Sequence, residues 1–232
     1  MRNIAIVGSG TGREQAPHDD TSWEIWSLNN LFNFIQDKRI TRWFELHDIG
    51  CNDSGITRRG ITHYVNQSVE DYLKQIDSLN VPVYMQHKHP LIKKSRPYPF
   101  KSIMKEFGKY FGCSFAWMIA LALHEHAKGK PVSKIGLWGC SLTGVEYYYQ
   151  RPSTEYMIGL ARGNGIEVYI HDDCNLLKEP YIYAIDERHN VIQDLYVGNA
   201  KIFLQWLTIQ WQLLLMRAEY GEGLGLNADD LL

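Results

Sequence analysis

The segment Asn3-Ile-Ala-Ile-Val-Gly-Ser-Gly-Thr-Gly12 carries the strongest indication of the fold of this chain. Its first five residues form a short apolar, largely β-branched run that stops at a glycine, which is typical of a buried parallel strand. The glycines that follow predict a tight turn at which backbone N–H groups point at a phosphate. A plain tight turn without a ligand is the alternative interpretation.

The glycine turn departs from the known nucleotide-binding fingerprints. Arg13 stands where the dinucleotide motif G-x-G-x-x-G has its third glycine, and Asn29, not Asp or Glu, ends the second predicted strand. No Gly-Lys-Ser/Thr follows the turn, so it is not a P-loop. We therefore interpret it as a generic phosphate-binding turn whose predicted ligand contacts are Gly8, Ser9, Gly10 and Thr11.

Strand-like and helix-like segments alternate along the chain after this turn. Further strands are predicted at 24–28, 41–46, 81–85, 134–138 and 166–170, and helices at 68–79, 114–128, 153–162 and 199–220. Ser68 and Ser153 are the predicted N-caps of two of these helices. The alternation predicts a Rossmann-like α/β fold with a mostly parallel sheet and helices on both faces.

The chain length of 232 residues fits one large domain. We predict an α/β core over 1–178, followed by a hairpin at 181–195 and a long C-terminal helix. That helix is apolar nearly all round, which predicts burial against the body of the protein or against a second copy in a homo-oligomer. Residues 86–101 carry three prolines and several basic side chains, which predicts an irregular loop. Its basic part, Lys88 to Arg96, is interpreted either as a lid over an anionic ligand or as a solvated surface loop.

Composition and charge argue against several classes of protein. A formal net charge of -2 gives no bulk positive field for nucleic-acid binding. The four cysteines form no C-x-x-C pair, so we predict no zinc ribbon or thioredoxin-like site, and free thiols in a reducing cytoplasm. The pairs His87-x-His89 and His124-x-His126 have no acidic partner fixed by spacing, so we predict no metal and no certain cofactor. No secretory signal and no apolar stretch of membrane-spanning length is recognised, so no membrane partner is expected.

Polar residues stand at the ends of the predicted strands. Ligands of open parallel sheets bind outside the carboxyl ends of the strands, so these side chains are expected to converge. His47 is the candidate general base, with Asp48 or Glu45 orienting it. The remaining strand-end candidates for ligand binding are Asn29, Gln86, Gly139 and Ser141. The alternative is a set of polar loops that satisfy backbone groups.

A dense polar and aromatic segment runs from Glu146 to Tyr156. Arg151 is predicted to grip a phosphate or carboxylate in bidentate fashion. Glu146 is predicted to accept from a sugar hydroxyl or a base and to take part in acid–base catalysis. Gln150 and Tyr156 are further candidate ligand contacts. The structural alternative is an ion pair of Arg151 with Glu155 or Glu146 that shapes the loop.

The residues from about 114 to 177 carry a resemblance to a known family. Glu146-Tyr147, Gln150-Arg-Pro152 and Glu155-Tyr156, with the opening Gly-Ser-Gly, resemble a Rossmann-like family common in tailed phages. At greater distance, the glycine-serine turn and the Asn at the second strand end resemble 6-hydroxymethylpterin pyrophosphokinase-like proteins and bacterial sialyltransferases. The resemblance implies nucleotide or nucleotide-sugar binding and, for a phage-encoded protein, the host cytoplasm.

Three hypotheses of function stay open from the sequence. The first is a transferase acting on a nucleotide-linked substrate, with the phosphate on the glycine turn and Arg151, and the ribose on Asn29. The second is a non-catalytic binder that sequesters a nucleotide signal in counter-defence. The third is a phage structural or assembly factor that works through its C-terminal helix.

Overall fold

The computed structural model describes residues 1–35, 37–52, 55–58, 68–143, 147, 149–179, 182, 185, 199–209, 211, 212 and 215. Side chains are described for these residues except 50–52 and 55–58. The chain divides into two units, Met1–Lys178 and Glu179–Leu232, and each is described by itself. Glu146 and nearly all of the predicted hairpin at 181–195 lie outside the described residues.

The first unit alternates strands and helices along its length. In chain order its elements are β1 (Arg2–Val7), β2 (Trp23–Leu28), β3 (Arg42–Glu45), β4 (Ile49–Asn52), β5 (Gly55–Arg58), α1 (Val69–Ser78), β6 (Val83–Met85), β7 (Ser95–Pro97), α2 (Phe100–Phe107), α3 (Ser114–Ala127), β8 (Val132–Trp138), α4 (Arg151–Gly163) and β9 (Glu167–Ile170).

Seven of these strands form one sheet in the order β7-β6-β3-β2-β1-β8-β9, and every neighbouring pair is parallel. The predicted α/β fold with a parallel sheet is therefore confirmed. β1 lies inside the sheet, with β2 on one side and β8 on the other. The strands that follow β1 in the chain, from β2 to β7, lie on one side of it, and β8 and β9 lie on the other. The strand order therefore reverses between β1 and β8, and the carboxyl ends of these two strands form the topological switch point of the sheet.

Alternate side chains of β1 enter two hydrophobic cores. Ile4 and Ile6 pack with apolar residues of α3 and α4, whereas Ala5 and Val7 pack with those of α1. All four side chains are fully buried. The period of two in the strand thus brings helices to both faces of the sheet, as the sequence predicts.

The predicted helix starts are right for α1 and wrong for α4. The Ser68 side chain accepts a hydrogen bond from the backbone N–H of Asp71 at 3.1 Å, so Ser68 is the N-cap of α1. The fourth helix begins at Arg151, two residues before the predicted cap, with a proline in its first turn. Ser153 instead accepts from the Gly112 N–H at 2.9 Å and donates to the Gln150 carbonyl.

The prediction of an irregular loop over residues 86–101 is wrong at two places. Residues 95–97 pair with β6 as an edge strand, where a proline's missing N–H does no harm, and α2 begins at Phe100. Two of the basic side chains have partners in or just after α1. Lys93 pairs with Asp77 at the end of α1, and the Lys94 ammonium donates to the Asn80 carbonyl.

The second unit contains helical backbone at residues 199–209, within the predicted C-terminal helix. Its large apolar side chains, among them Ile202, Phe203 and Trp206, are exposed. No helix within the described parts of the chain combines the length and apolar character that crossing a bilayer requires.

Candidate functional site

A cavity of about 500 Å³ opens at the carboxyl edge of the sheet. Residues that follow β1, β2, β3 and β8 line it, together with the first residues of α3. Its position at the switch point is the one at which open α/β sheets bind ligands. Of the predicted site residues, the structure brings together Ser9, Asn29, His47, Gly139, Ser141 and Gln150 around this cavity.

His47 stands on the cavity wall with a buried carboxylate behind it. The Glu45 side chain has no exposed surface, whereas the His47 side chain keeps about a third of its own. The imidazole Nδ1 lies 2.6 Å from Glu45 Oε1, which also accepts the His47 backbone N–H at 3.1 Å. With Glu45 as a carboxylate, which can only accept, Nδ1 is the donor of this bond, and in the neutral ring Nε2 is then the basic nitrogen.

A third side chain completes this arrangement from another element. The Tyr72 hydroxyl, on α1, donates to Glu45 Oε2. Glu45 follows Trp43 by two residues in β3, so both point to the face of the sheet that α1 covers. The structure thus places Glu45, and not Asp48, as the partner that orients His47. No spacing along the chain points to Tyr72, because its hydroxyl meets Glu45 only once α1 packs against the sheet.

The amino end of α3 also lines the cavity. Its N-cap is Cys113, whose side chain accepts no N–H of the first turn. The thiol lies instead 3.1 Å from Thr154 Oγ1. By helix geometry the first amides of α3 have no intrahelical acceptor, and the helix dipole favours negative charge there. Sequence reasoning located this helix but missed that its amino end faces the site.

The glycine turn contributes less to the cavity than predicted. The Gly8 and Gly10 amides donate to the carbonyls of Trp138 and Gly139, each at 2.8 Å. A Cβ on Gly8 would lie 2.4 Å from the Gly139 oxygen, so glycine is required by the close contact of two loops. The prediction that these two N–H groups are free to bind a phosphate is therefore wrong. Thr11 is exposed, and of this turn Ser9 alone is among the cavity-lining residues.

Arg13, which replaces the third glycine of the dinucleotide motif, holds the turn in shape. Its guanidinium donates to the Ser9 carbonyl at 2.8 Å and lies 5.1 Å from the centre of the Phe34 ring. Phe34 lines the cavity, as do Phe115 and Tyr147. These rings are aromatic surface on which a planar ligand can stack.

Three other predicted contacts lie outside the cavity lining. Arg151 donates to the Glu155 carboxylate at 2.7 Å and to the Lys178 carbonyl at 2.8 Å. The ion pair with Glu155 is the one that the structural alternative for Arg151 predicts. Tyr156 packs edge-on against Tyr110, with ring centres 5.8 Å apart. Gln86 donates to the Leu46 carbonyl at 3.0 Å and so supports the loop that carries His47.

The charge of the cavity lining is limited, and the buried thiol of Cys140 lies outside that lining. No Lys or Arg occurs among the described residues that line it. Burial raises the pKa of the Cys140 thiol well above its ordinary value, so this cysteine beside Ser141 stays protonated. Asn29 has a left-handed backbone with φ of 55°, and its buried Oδ1 has no hydrogen-bond partner within the described structure. Comparison with protein-family models, curated proteins and solved structures found no match.

Proposed function

We propose that the cavity binds a nucleotide-like ligand and that the protein is a transferase in which His47 is the general base. The observation that carries this proposal is the Glu45–His47 pair on the wall of a cavity at the switch point of the sheet. A buried carboxylate behind a half-exposed histidine is the arrangement that orients a base and stabilises its protonated form. The resemblance to a tailed-phage family remains a prediction.

The lining of the cavity supports a ligand with a ring, hydroxyls and a phosphate. A volume near 500 Å³ lies within the range of small-molecule sites. Phe34, Phe115 and Tyr147 supply surfaces for a ring, and the amides of Asn29 and Gln150 supply hydrogen bonds for hydroxyl groups. The phosphate belongs at the amino end of α3, because the Gly8 and Gly10 amides are already bonded.

The proposed reaction transfers a group from its phosphate to an acceptor hydroxyl. His47 Nε2 takes the hydroxyl proton while the acceptor oxygen bonds to the transferred group and the bond from that group to the phosphate breaks. The leaving phosphate keeps the electron pair of the broken bond, and the dipole of α3 stabilises its charge. Glu45 stabilises the imidazolium that results.

The test combines ligand identification with turnover. Native mass spectrometry of freshly purified protein asks whether a nucleotide co-purifies, and incubation with nucleotide-sugars and hydroxyl acceptors asks whether it is transferred. We expect His47→Asn to lower the rate about 10²- to 10⁴-fold while donor affinity changes little. The control is His87→Asn, since His87 is exposed and is not among the cavity-lining residues.

Two results would change the proposal. An intact ligand that binds but is never turned over would replace the transferase with a binder that sequesters its ligand. Protein that binds no nucleotide or nucleotide-sugar at all would overturn both, and would leave the cavity without the proposed ligand class.

A further inference from the structure

We infer that Tyr72 is a positioning residue for His47, and that its hydroxyl, acting through Glu45, sets how firmly the imidazole holds a proton. The inference rests on the proposed role of His47, which it deepens. The two groups share one carboxylate. Glu45 Oε2 accepts from the Tyr72 hydroxyl, and Oε1 accepts from His47 Nδ1 at 2.6 Å.

The hydroxyl of Tyr72 is not needed for packing. The ring lies in a hydrophobic core with 1% of its surface exposed, and its centre is 5.6 Å from that of Phe32. Phenylalanine would fill the same space. A buried hydroxyl is costly unless it has a partner, and the partner of this one is the Glu45 carboxylate.

Sharing a carboxylate divides its charge between two donors. A hydrogen bond to one oxygen draws electron density from the other, and a low-dielectric interior strengthens this coupling. With the phenol in place, Glu45 attracts the imidazolium less strongly than a carboxylate without that donor would. The phenol therefore moderates the base, so that His47 releases its proton at a lower pH and is ready to accept another.

The described polar and charged groups near these three residues are few. Gln86, beyond β6, donates to the backbone carbonyl of Leu46 and carries no charge. On α1 near Tyr72, Lys74 pairs at the surface with Glu70 and with Asp71. On its own loop His47 is followed by the half-buried Asp48.

The experiment is an NMR titration of ¹⁵N-labelled imidazoles in the full chain without ligand. In Tyr72→Phe we expect the midpoint of the His47 titration to rise, with a change of about three- to tenfold in its proton affinity. Replacing Tyr72 by 3-fluorotyrosine, a more acidic donor of nearly the same size, is expected to lower the midpoint. The matched control is Tyr98→Phe, because the buried Tyr98 hydroxyl donates to the Trp117 carbonyl.

Opposite shifts in the two Tyr72 variants, with no shift in the control, support the inference. A His47 midpoint that stays unchanged in both variants overturns it, and the fluorinated protein decides the matter if Tyr72→Phe does not fold. Because this titration needs no substrate, its outcome is independent of whether the transferase proposal survives its own test.

Discussion

At the scale of single residues, Glu45 is the most consequential side chain, because it places a carboxylate where water does not reach. Moving such a group out of water costs several kcal/mol unless other groups compensate. Here the His47 ring, the His47 backbone N–H and the Tyr72 hydroxyl all donate to it. The same contacts that make the charge tolerable also orient the histidine, so stability and chemistry depend on one residue.

The first prediction concerns that carboxylate. Glu45→Gln keeps the shape of the side chain, but its NH₂ group faces donors, so one of them loses its acceptor. We expect the free energy of unfolding to fall by about 1–3 kcal/mol, as for a buried donor left unsatisfied. Urea denaturation measures it. Glu167→Gln is the control, because Glu167 is exposed and its surface pair with Lys134 contributes at most about 1 kcal/mol. Equal losses in both variants would contradict the prediction.

The second prediction separates strain from binding at Asn29. Its left-handed backbone and buried Oδ1 without a partner both disfavour asparagine, whereas glycine has neither cost. We expect the relief of the left-handed backbone to outweigh glycine's greater freedom in the unfolded chain, so that Asn29→Gly raises stability by about 0.5–1 kcal/mol and weakens ligand binding at the cavity.

Asn80→Gly is the matched control for this change. Asn80 has φ of 54° but is exposed and is not among the residues that line the cavity. Asn80→Gly should relieve the same backbone strain and leave ligand affinity unchanged. Thermal unfolding measures the change in stability, and calorimetric titration measures the affinity. Unchanged ligand affinity in the Asn29 variant would remove that residue from the proposed site.

At the scale of elements, the sequence predicted what local patterns determine. The six predicted strands of the sheet are present, since apolar runs bounded by Gly or Asn need no partner to be recognised. The sequence analysis missed β7 and α2. Prolines at 97 and 99 are typical of a loop, and the pairing of an edge strand depends on its neighbour, here β6. The starts of α1 and α3 were predicted, the first from its cap at Ser68 and the second without a side-chain cap, whereas α4 begins two residues before the predicted cap at Ser153.

The third prediction tests the contact between the loops after β1 and β8. An alanine Cβ at Gly8 would lie 2.4 Å from the Gly139 oxygen and 2.7 Å from the Phe115 ring, and the oxygen is backbone that cannot turn aside. We expect Gly8→Ala to lower the free energy of unfolding by about 1–3 kcal/mol, the usual cost of overpacking.

Gly159→Ala is the contrasting change within the same unit. Gly159 lies inside α4, and a Cβ there would meet no atom within 4 Å among the described residues. Alanine should raise stability by about 0.5–1 kcal/mol through helix propensity alone. Chemical denaturation of both variants checks the pair, and a tolerated Gly8→Ala would show that the two loops can separate.

At the scale of the whole molecule, charge is gathered at the amino ends of the strands. Arg2 from β1 and Arg42 from β3 pair with Glu24 from β2 and Glu125 from α3. Burial opposes ionisation of Glu24, but hydrogen bonds from Arg2 and Trp26 and the charges of both arginines outweigh it and lower its pKa. For Glu125, bonds and charges of Arg42 and Arg2 likewise outweigh burial and lower the pKa.

The fourth prediction is a loss of stability in acid that proceeds in two stages. Burial lowers the pKa of His89 below its ordinary 6.5, so the neutral ring stabilises the fold above about that pH and this contribution is lost as the pH falls. The ionised Glu24 and Glu125 stabilise the fold fully above their ordinary value of 4.5, and their contribution is lost as the pH falls through the lowered folded values.

Unfolding free energies measured by urea from about pH 8 to about pH 2 check this prediction. His89→Asn keeps an acceptor near the position of Nδ1, to which the Leu91 N–H donates, but does not titrate. It should remove the upper stage and leave the lower one. If His89→Asn loses as much unfolding free energy as the wild type when the pH falls through the upper stage, His89 is not the cause of that stage.

The candidate site was predictable where it follows from strand ends and unpredictable where it follows from packing. Asn29, His47 and Ser141 end or follow strands, so topology alone brings them together. Arg151 was assigned to the ligand because its residue type suits phosphate, yet an acidic side chain one helical turn away binds it. Glycines after a strand signal close backbone approach equally well for a phosphate and for a second loop, and here the loop is what they contact.

The interior position of β1 also has a consequence during synthesis. β1 pairs with β2 soon after both have emerged from the ribosome, but its other edge must wait for β8, about 100 residues later. At ordinary rates of translation that interval is about 5–20 s. Until then the nascent chain carries an apolar strand with unpaired backbone groups along one side. We expect this half-finished sheet to be the intermediate that chaperones bind and that aggregates when expression is fast.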